Sequence, residues 1–241
     1  MINNNFEPEV LYCDEYFAVV YKAPGFICEY TEKEDSLPLF YKSIFEKTLH
    51  KKLSFIQCPH RLDKPVSGLV IVAFTKEIFS FFQKTITTSN DFSKMYLAIC
   101  EGKWEISKDF LLLTHYLFFD KKRQKSFCSL EYKNSYKKSE LRYRCFGTGE
   151  RYSYFLIHLL TGRTHQIRSQ LSFEKLFIKG DVKYGAKRTD PLNCIRLHAY
   201  LLEFIHPVTG EKLTFSQFPQ QKDALWTDLI TQWEKYNNEE K

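Results

Sequence analysis

Apolar residues recur in short runs along the whole chain, most of them five to nine residues long and many alternating, which predicts numerous strands with a few helices between them. Val10–Tyr12 and Phe17–Tyr21, separated by Cys13-Asp14-Glu15, predict a hairpin that Lys22-Ala23-Pro24-Gly25 ends. Between Glu29 and Lys52, Phe40, Ile44 and Phe45 fall at helical spacing, and His50-Lys51-Lys52 puts cations where a helix C-terminus favours them. Pro65, Ser67 and Gly68 punctuate a turn, and the β-branched run Leu69–Phe74 behind it predicts a buried strand. Lys76–Ile86 places Phe79, Phe81, Phe82 and Ile86 along one broad side, the pattern of an amphipathic helix packed on a sheet.

The second half repeats the strand signal. Met95–Cys100 is a short apolar strand closed by Gly102, and 109–118 with 126–132 predict a pair around the charged turn Asp120–Lys125. Leu141–Phe146 and Tyr152–Leu160 predict another hairpin around Gly147-Thr148-Gly149-Glu150. Thr161-Gly162 ends that strand. In the helix expected next, Ile167 and Leu171 share the packing face while Thr164 and Arg168 lie on another, so its cations point away from the packing side. A glycine-bounded loop (180–187), a long strand (195–206), a return strand (Lys212–Phe215) and a helix over 221–236 with Leu225, Leu229, Ile230 and Trp233 complete the pattern. No internal repeat or low-complexity linker interrupts it. Strands and helices in no regular βαβ order predict an α+β fold, a mixed and largely antiparallel sheet with flanking helices, in one domain over 1–241.

Composition excludes several classes. An apolar content of 44% with 17% aromatics is far from that of a disordered chain. A net charge of +6 suits an anionic partner met through local patches. Seven dispersed cysteines without a CxxC pair read as reduced thiols of a cytoplasmic protein. The start MINNNFEPEV has no leader pattern, and no apolar run approaches the ~18 residues of a membrane span. A soluble monomer is the expectation.

Candidate chemistry centres on His60–Phe74. Asp63 lies between Arg61 and Lys64, and a carboxylate at the lip of a sheet beside cations stays ionised, as a nucleophile or general base requires. A surface ion pair at a strand entrance fits these residues as well. Tyr96 in an apolar strand reads as core, and Arg168 on a helix as solvated. His165, His198 and His206 are spaced 33 and 8 apart, which matches no metal-ligand pattern, so no metal is expected. The basic runs His50–Lys52, Lys121–Lys125 and Tyr136–Lys138 are solvated loops or, with an RNA partner, phosphate contacts.

Four stretches taken together change these readings. HRLDKPVSGL (60–69), SKMYLAICEG (93–102), GRTHQIR (162–168), and GDVKYG (180–185) with LHAYLLEFIHPVTGE (197–211) resemble, in this order, the motifs of the RluA family of RNA pseudouridine synthases. VLYCDEYFAVVYKAPG (10–25) is more weakly similar to that family's opening strand pair. Departures are Val66 where Thr is usual, Phe74 where Lys is frequent, Tyr21 and Ala23 in the first loop, and Ser169-Gln170 after Arg168. The resemblance begins about ten residues in and implies no preceding S4-type RNA-binding domain. It implies isomerisation of uridine to pseudouridine in a structured rRNA or tRNA, without cofactor, metal or energy source. Asp63 would be the catalytic carboxylate, Tyr96 would stack on the detached uracil, and Arg168 would pair with Asp63. Arg61 would replace the extruded base or meet phosphate, with His60, Lys94, Arg163, His165 and Gln166 as further substrate contacts. A catalytically silent RNA-binding protein on the same scaffold is the alternative.

Overall fold

The computed structural model describes residues 7–33, 35–89 and 91–239; the N-terminal residues scanned for a leader lie largely outside them. In chain order the elements are β1 (Val10–Cys13), β2 (Phe17–Lys22), α1 (Leu37–Thr48), β3 (Ser67–Ala73), α2 (Lys76–Thr88), β4 (Ser93–Glu101) and β5 (Leu111–Asp120). There follow β6 (Lys125–Ser129), β7 (Lys137–Thr148), β8 (Tyr152–Leu159), α3 (Gln166–Phe173), β9 (Leu197–Ile205), β10 (Lys212–Ser216) and α4 (Ala224–Glu239). The chain is α+β with largely antiparallel pairing, as its pattern predicts. It divides into two compact units: Met1–Ser93 with Ala199–Gln217, and Lys94–His198 with Phe218–Lys241.

In the first unit the strand order is β1-β2-β3-β9, with β10 on β9. β2 and β3 are buried along their whole length because both faces are covered, which is why β3 reads as a continuous apolar run. One face packs Phe17, Val19, Leu69 and Ile71 against Ile78 and Phe82 of α2 and Phe204 of β9. The other receives α1, whose Tyr41 hydroxyl donates to the Tyr21 carbonyl at 2.9 Å. α1 starts at Leu37 because Ser36 caps it, accepting from Leu39 N, and Pro38 occupies its first turn. In α2 the core stripe is Ile78 and Phe82, whereas Phe81, expected on that side, is 38% exposed. A spacing of two from Phe79 to Phe81 turns the latter some 200° around the helix.

In the second unit the order is β4-β8-β7-β5-β6, antiparallel throughout. α4 packs on β7, where Phe146 meets Trp233 edge-on at 5.1 Å and lies near Tyr236; Leu229 is buried, and Trp226 lies against His198 and Arg196. The expected stripe shared Leu229 and Trp233 but omitted the two larger aromatics at its ends. α3 departs furthest from expectation. Every residue from Gln166 to Leu171 is buried, Arg168 included, and Thr164 precedes the helix. The helix carries no single packing face, because polar side chains are enclosed on all sides and bonded there. Among the described residues, no helix is long and apolar enough to cross a membrane.

Candidate active site

In the first unit, the turn carrying Asp63 is held from beneath by Lys22, the last residue of β2. This ammonium is fully buried, and its Nζ donates to the carbonyl oxygens of Ala23 (3.2 Å), Asp63 (3.3 Å), Lys64 (3.3 Å) and Val66 (2.6 Å). Burial pushes its pKa down to about 8 from the ordinary 10.5. The turn is closed by Val66 N on Asp63 O at 2.9 Å and tied to the first loop by Gly25 N on Lys64 O at 2.8 Å. Cys28 Sγ accepts from Leu62 N at 3.3 Å. Four backbone positions around Asp63 are thus fixed from inside, while its half-buried side chain projects from the turn.

The neighbours of Asp63 act differently from expectation. Arg61 is exposed and pairs with Glu29 at 2.6 Å, and Lys64 pairs with Asp35 at 2.7 Å. Their sequence adjacency to Asp63 does not become pairing with it, because Glu29 and Asp35 from the preceding loop take both cations. His60 Nε2 accepts from Ile71 N at 3.1 Å, which braces the loop against β3 and places the ring proton on Nδ1.

The second unit carries Tyr96, Lys94 and the α3 residues. Tyr96 (β4) is 7% exposed and pairs with Ile157 of β8. Lys94 lies two residues before it, hence on the same strand face, and burial lowers its pKa to about 8. A Cβ at Gly162 would stand 3.6 Å from Lys94 Nζ, so the ammonium lies against the backbone that opens GRTHQIR. Arg168 is 6% exposed and clamps Asp181, itself 2% exposed, with Nε–Oδ2 at 2.7 Å and Nη2–Oδ1 at 2.8 Å. The Tyr184 ring lies 4.9 Å beneath the guanidinium. This bidentate pair fixes the guanidinium plane. It went unread because only the tertiary fold brings GDVKYG to α3; an acidic residue between two glycines was the available signal.

The remaining expected contacts separate by environment. Gln166 Oε1 accepts from Arg163 N and Thr161 Oγ1, both at 2.9 Å, and its Nε2 donates to Glu140 O and Gln170 Oε1. Its amide therefore braces the loop into α3. His165 takes the left-handed backbone at φ 52° and bonds Tyr184 through Nδ1 at 3.0 Å. Arg163 is exposed, with Nε 3.5 Å from Lys138 O. His206 bonds Asp14 at 2.7 Å and accepts from the turn at Val208 and Thr209. Among the described residues, no group of three His, Cys, Asp or Glu could hold a metal ion.

Residues 16–173 match the family model described as RNA pseudouridylate synthase. An uncharacterized RNA pseudouridine synthase of Mycoplasma capricolum is 34% identical over 145 residues, covering 60% of this chain but only 46% of that one. The tRNA pseudouridine synthase C of Haemophilus ducreyi is 28% identical over 244 residues, covering 94% of this chain and 96% of that protein. The solved structure of human RNA Pseudouridylate Synthase Domain Containing 1 has the same fold, with a TM-score of 0.69 at 22% identity over 94% of this chain and 87% of that one. The chain belongs to the RNA pseudouridylate synthase family, isomerases that act on RNA, and within it to the RluA type whose motifs it carries.

Proposed function

We propose that this chain isomerises particular uridines of a structured rRNA or tRNA to pseudouridine, with Asp63 as its catalytic carboxylate. In that reaction the bond from uracil N1 to the sugar C1′ breaks, the base turns, and C5 bonds to the same carbon. C5 then gives up its hydrogen as a proton and N1 regains one, so atoms and electrons balance without a redox partner. Tyr96 stacks on the detached uracil and keeps it from leaving, and base–aromatic stacking is worth roughly 1–3 kcal/mol. Arg168, its plane set by Asp181, serves the reaction as a fixed cation. Extruding a paired uridine costs a few kcal/mol, which Arg61 offsets by entering the vacated stack. The observation that carries this reading is Lys22: a buried ammonium bonded to three carbonyls of one turn is an arrangement for placing the side chain that turn presents.

The test is release of tritium from C5-labelled uridine in bulk, unmodified cellular RNA. Wild type is expected to release it, and Asp63→Asn to release none while binding RNA as before. Binding without release by wild type would make the chain a silent RNA-binding protein. Release that persists in Asp63→Asn would assign the chemistry to another carboxylate.

A further inference from the structure

The outer edge of the second unit's sheet carries exposed aromatic rings in register with cations. α3 packs on one face of β5 and β6: Phe119 meets His165 edge-on, His115 meets Phe173, and Cys128 Sγ lies 3.1 Å from Ser169 Oγ. The alternate residues of β5, namely Leu112, Tyr116 and Phe118, point the other way. Across the strands they stand opposite Arg142, Lys138 and Phe127 respectively. The loop between β6 and β7 adds two more rings. Tyr132 meets Tyr116 edge-on at 5.6 Å, and Tyr136 stacks on Phe118 at 5.5 Å with Lys133 Nζ 5.8 Å from its centre. Arg123 lies 5.8 Å over the Phe127 ring.

A solvated sheet face is ordinarily polar. Here Tyr132 is 68% exposed, Leu130 67%, Leu112 53% and Phe118 38%. A contiguous apolar patch of this kind marks a binding surface. Its charge says for what. Between Asp120 and Arg142 there are eight Lys or Arg against three Asp or Glu, an excess of five where the whole chain has six. Glu140 is already bonded to Lys138 at 2.8 Å, and Asp120 Oδ1 caps the turn at Lys122 and Arg123. Rings with open faces and interleaved cations are what unpaired bases and their phosphates require.

We propose that this face, centred on Phe118, Tyr132 and Tyr136 with Lys133 and Arg123 around it, binds a single-stranded stretch of RNA flanking the target uridine. The inference rests on the RNA reading above and extends it to a second contact area. Bases stack on the rings, which tolerates any sequence, and the cations meet phosphates. The face therefore adds affinity and register for RNA whose target lies beside an unpaired segment.

The test uses the full chain, a fluorescent 12-mer oligouridylate and a 12-base-pair RNA duplex. Phe118→Ser with Tyr132→Ser is expected to weaken oligouridylate binding by about thirtyfold or more, leave duplex binding within twofold, and leave the salt dependence unchanged. Lys133→Gln with Arg123→Gln is expected to flatten the slope of log affinity against log salt by about 0.7 per cation. Both pairs lie on the surface, and an unchanged thermal midpoint confirms the fold. In the tritium assay, the aromatic variant is expected to raise KM for bulk RNA with kcat unchanged. Unchanged oligouridylate affinity in the aromatic variant would overturn the proposal. So would variants that instead lose binding to phosphatidylserine vesicles, or lose self-association, with RNA affinity intact. Wild-type protein that binds oligouridylate through this face yet releases no tritium would leave the surface standing and refute the catalytic reading.

Discussion

An ammonium group removed from water must find acceptors, and Lys22 finds them in the backbone of the turn it supports. Its partners are carbonyls rather than a carboxylate, so what it holds is chain geometry, not a charge. Lys22→Met would leave those carbonyls buried without their donor and release the turn around Asp63, at a cost of about 1–3 kcal/mol of stability. Positioning should show as an effect on turnover beyond that on folding. Steady-state tritium release well below the variant's melting temperature is expected to give a kcat lower by about tenfold or more, with KM for RNA within threefold, since misplacing a reacting group by about 1 Å costs up to 100-fold. A kcat equal to wild type under those conditions would make Lys22 a stability residue only. The sequence placed Lys22 merely in a hairpin-ending segment, because nothing local distinguishes a buried lysine from a solvated one.

Among the elements, β3 shows how tightly the strand behind Asp63 is set. Gly68 has φ +125°, and a Cβ there would lie 2.3 Å from Ala199 O and 2.5 Å from Ala199 N, both backbone atoms of β9. Neither strain nor overlap can be relieved by a side-chain rotation. Gly68→Ala is expected to destabilise the protein by about 3 kcal/mol or more, read as a lower urea midpoint at constant m-value; a shift under about 1 kcal/mol would show that β9 can yield. The hairpins were legible because alternation with period two survives wherever one face is covered, and the β5–β6 and β7–β8 pairs fall close to their expected positions. α3 was not legible. Periodicity assigns a packing side from apolar residues, and a helix that buries Gln166, Arg168 and Gln170 through hydrogen bonds carries no such signal.

Over the whole molecule, buried titratable groups set the alkaline limit. Burial raises Tyr12 to about 12, Cys128 to about 11 and Cys194 to about 12, and pushes Tyr41, Tyr154 and Cys100 up further. Such groups keep their protons in the folded state while the unfolded chain begins to lose them near 9 for thiols and 10 for phenols. Above those values the unfolded state binds fewer protons, so stability falls as pH rises. Lys22 and Lys94, held near 8 against 10.5, act in the opposite sense between those two values. Six groups outweigh two. The urea midpoint is expected to rise slightly between about pH 8 and 9, where the two lysines act alone, and to fall steeply above about pH 10. A midpoint that climbs through pH 11 would contradict the burial of these side chains.

Family, fold class and the identity of the candidate carboxylate were determined by the sequence by itself. Hydrophobic period reports which faces are covered, and motifs such as HRLD and GRTHQIR are contiguous, so both are written in order along the chain. Pairings between distant segments were decided only by the tertiary structure: Lys22 beneath the turn at 63–66, Asp181 on Arg168, and the rings of the 130–136 loop against β5. Each unites residues 13 to 44 positions apart. Their partners are selected by desolvation and geometry, and neither acts on a chain until it has folded.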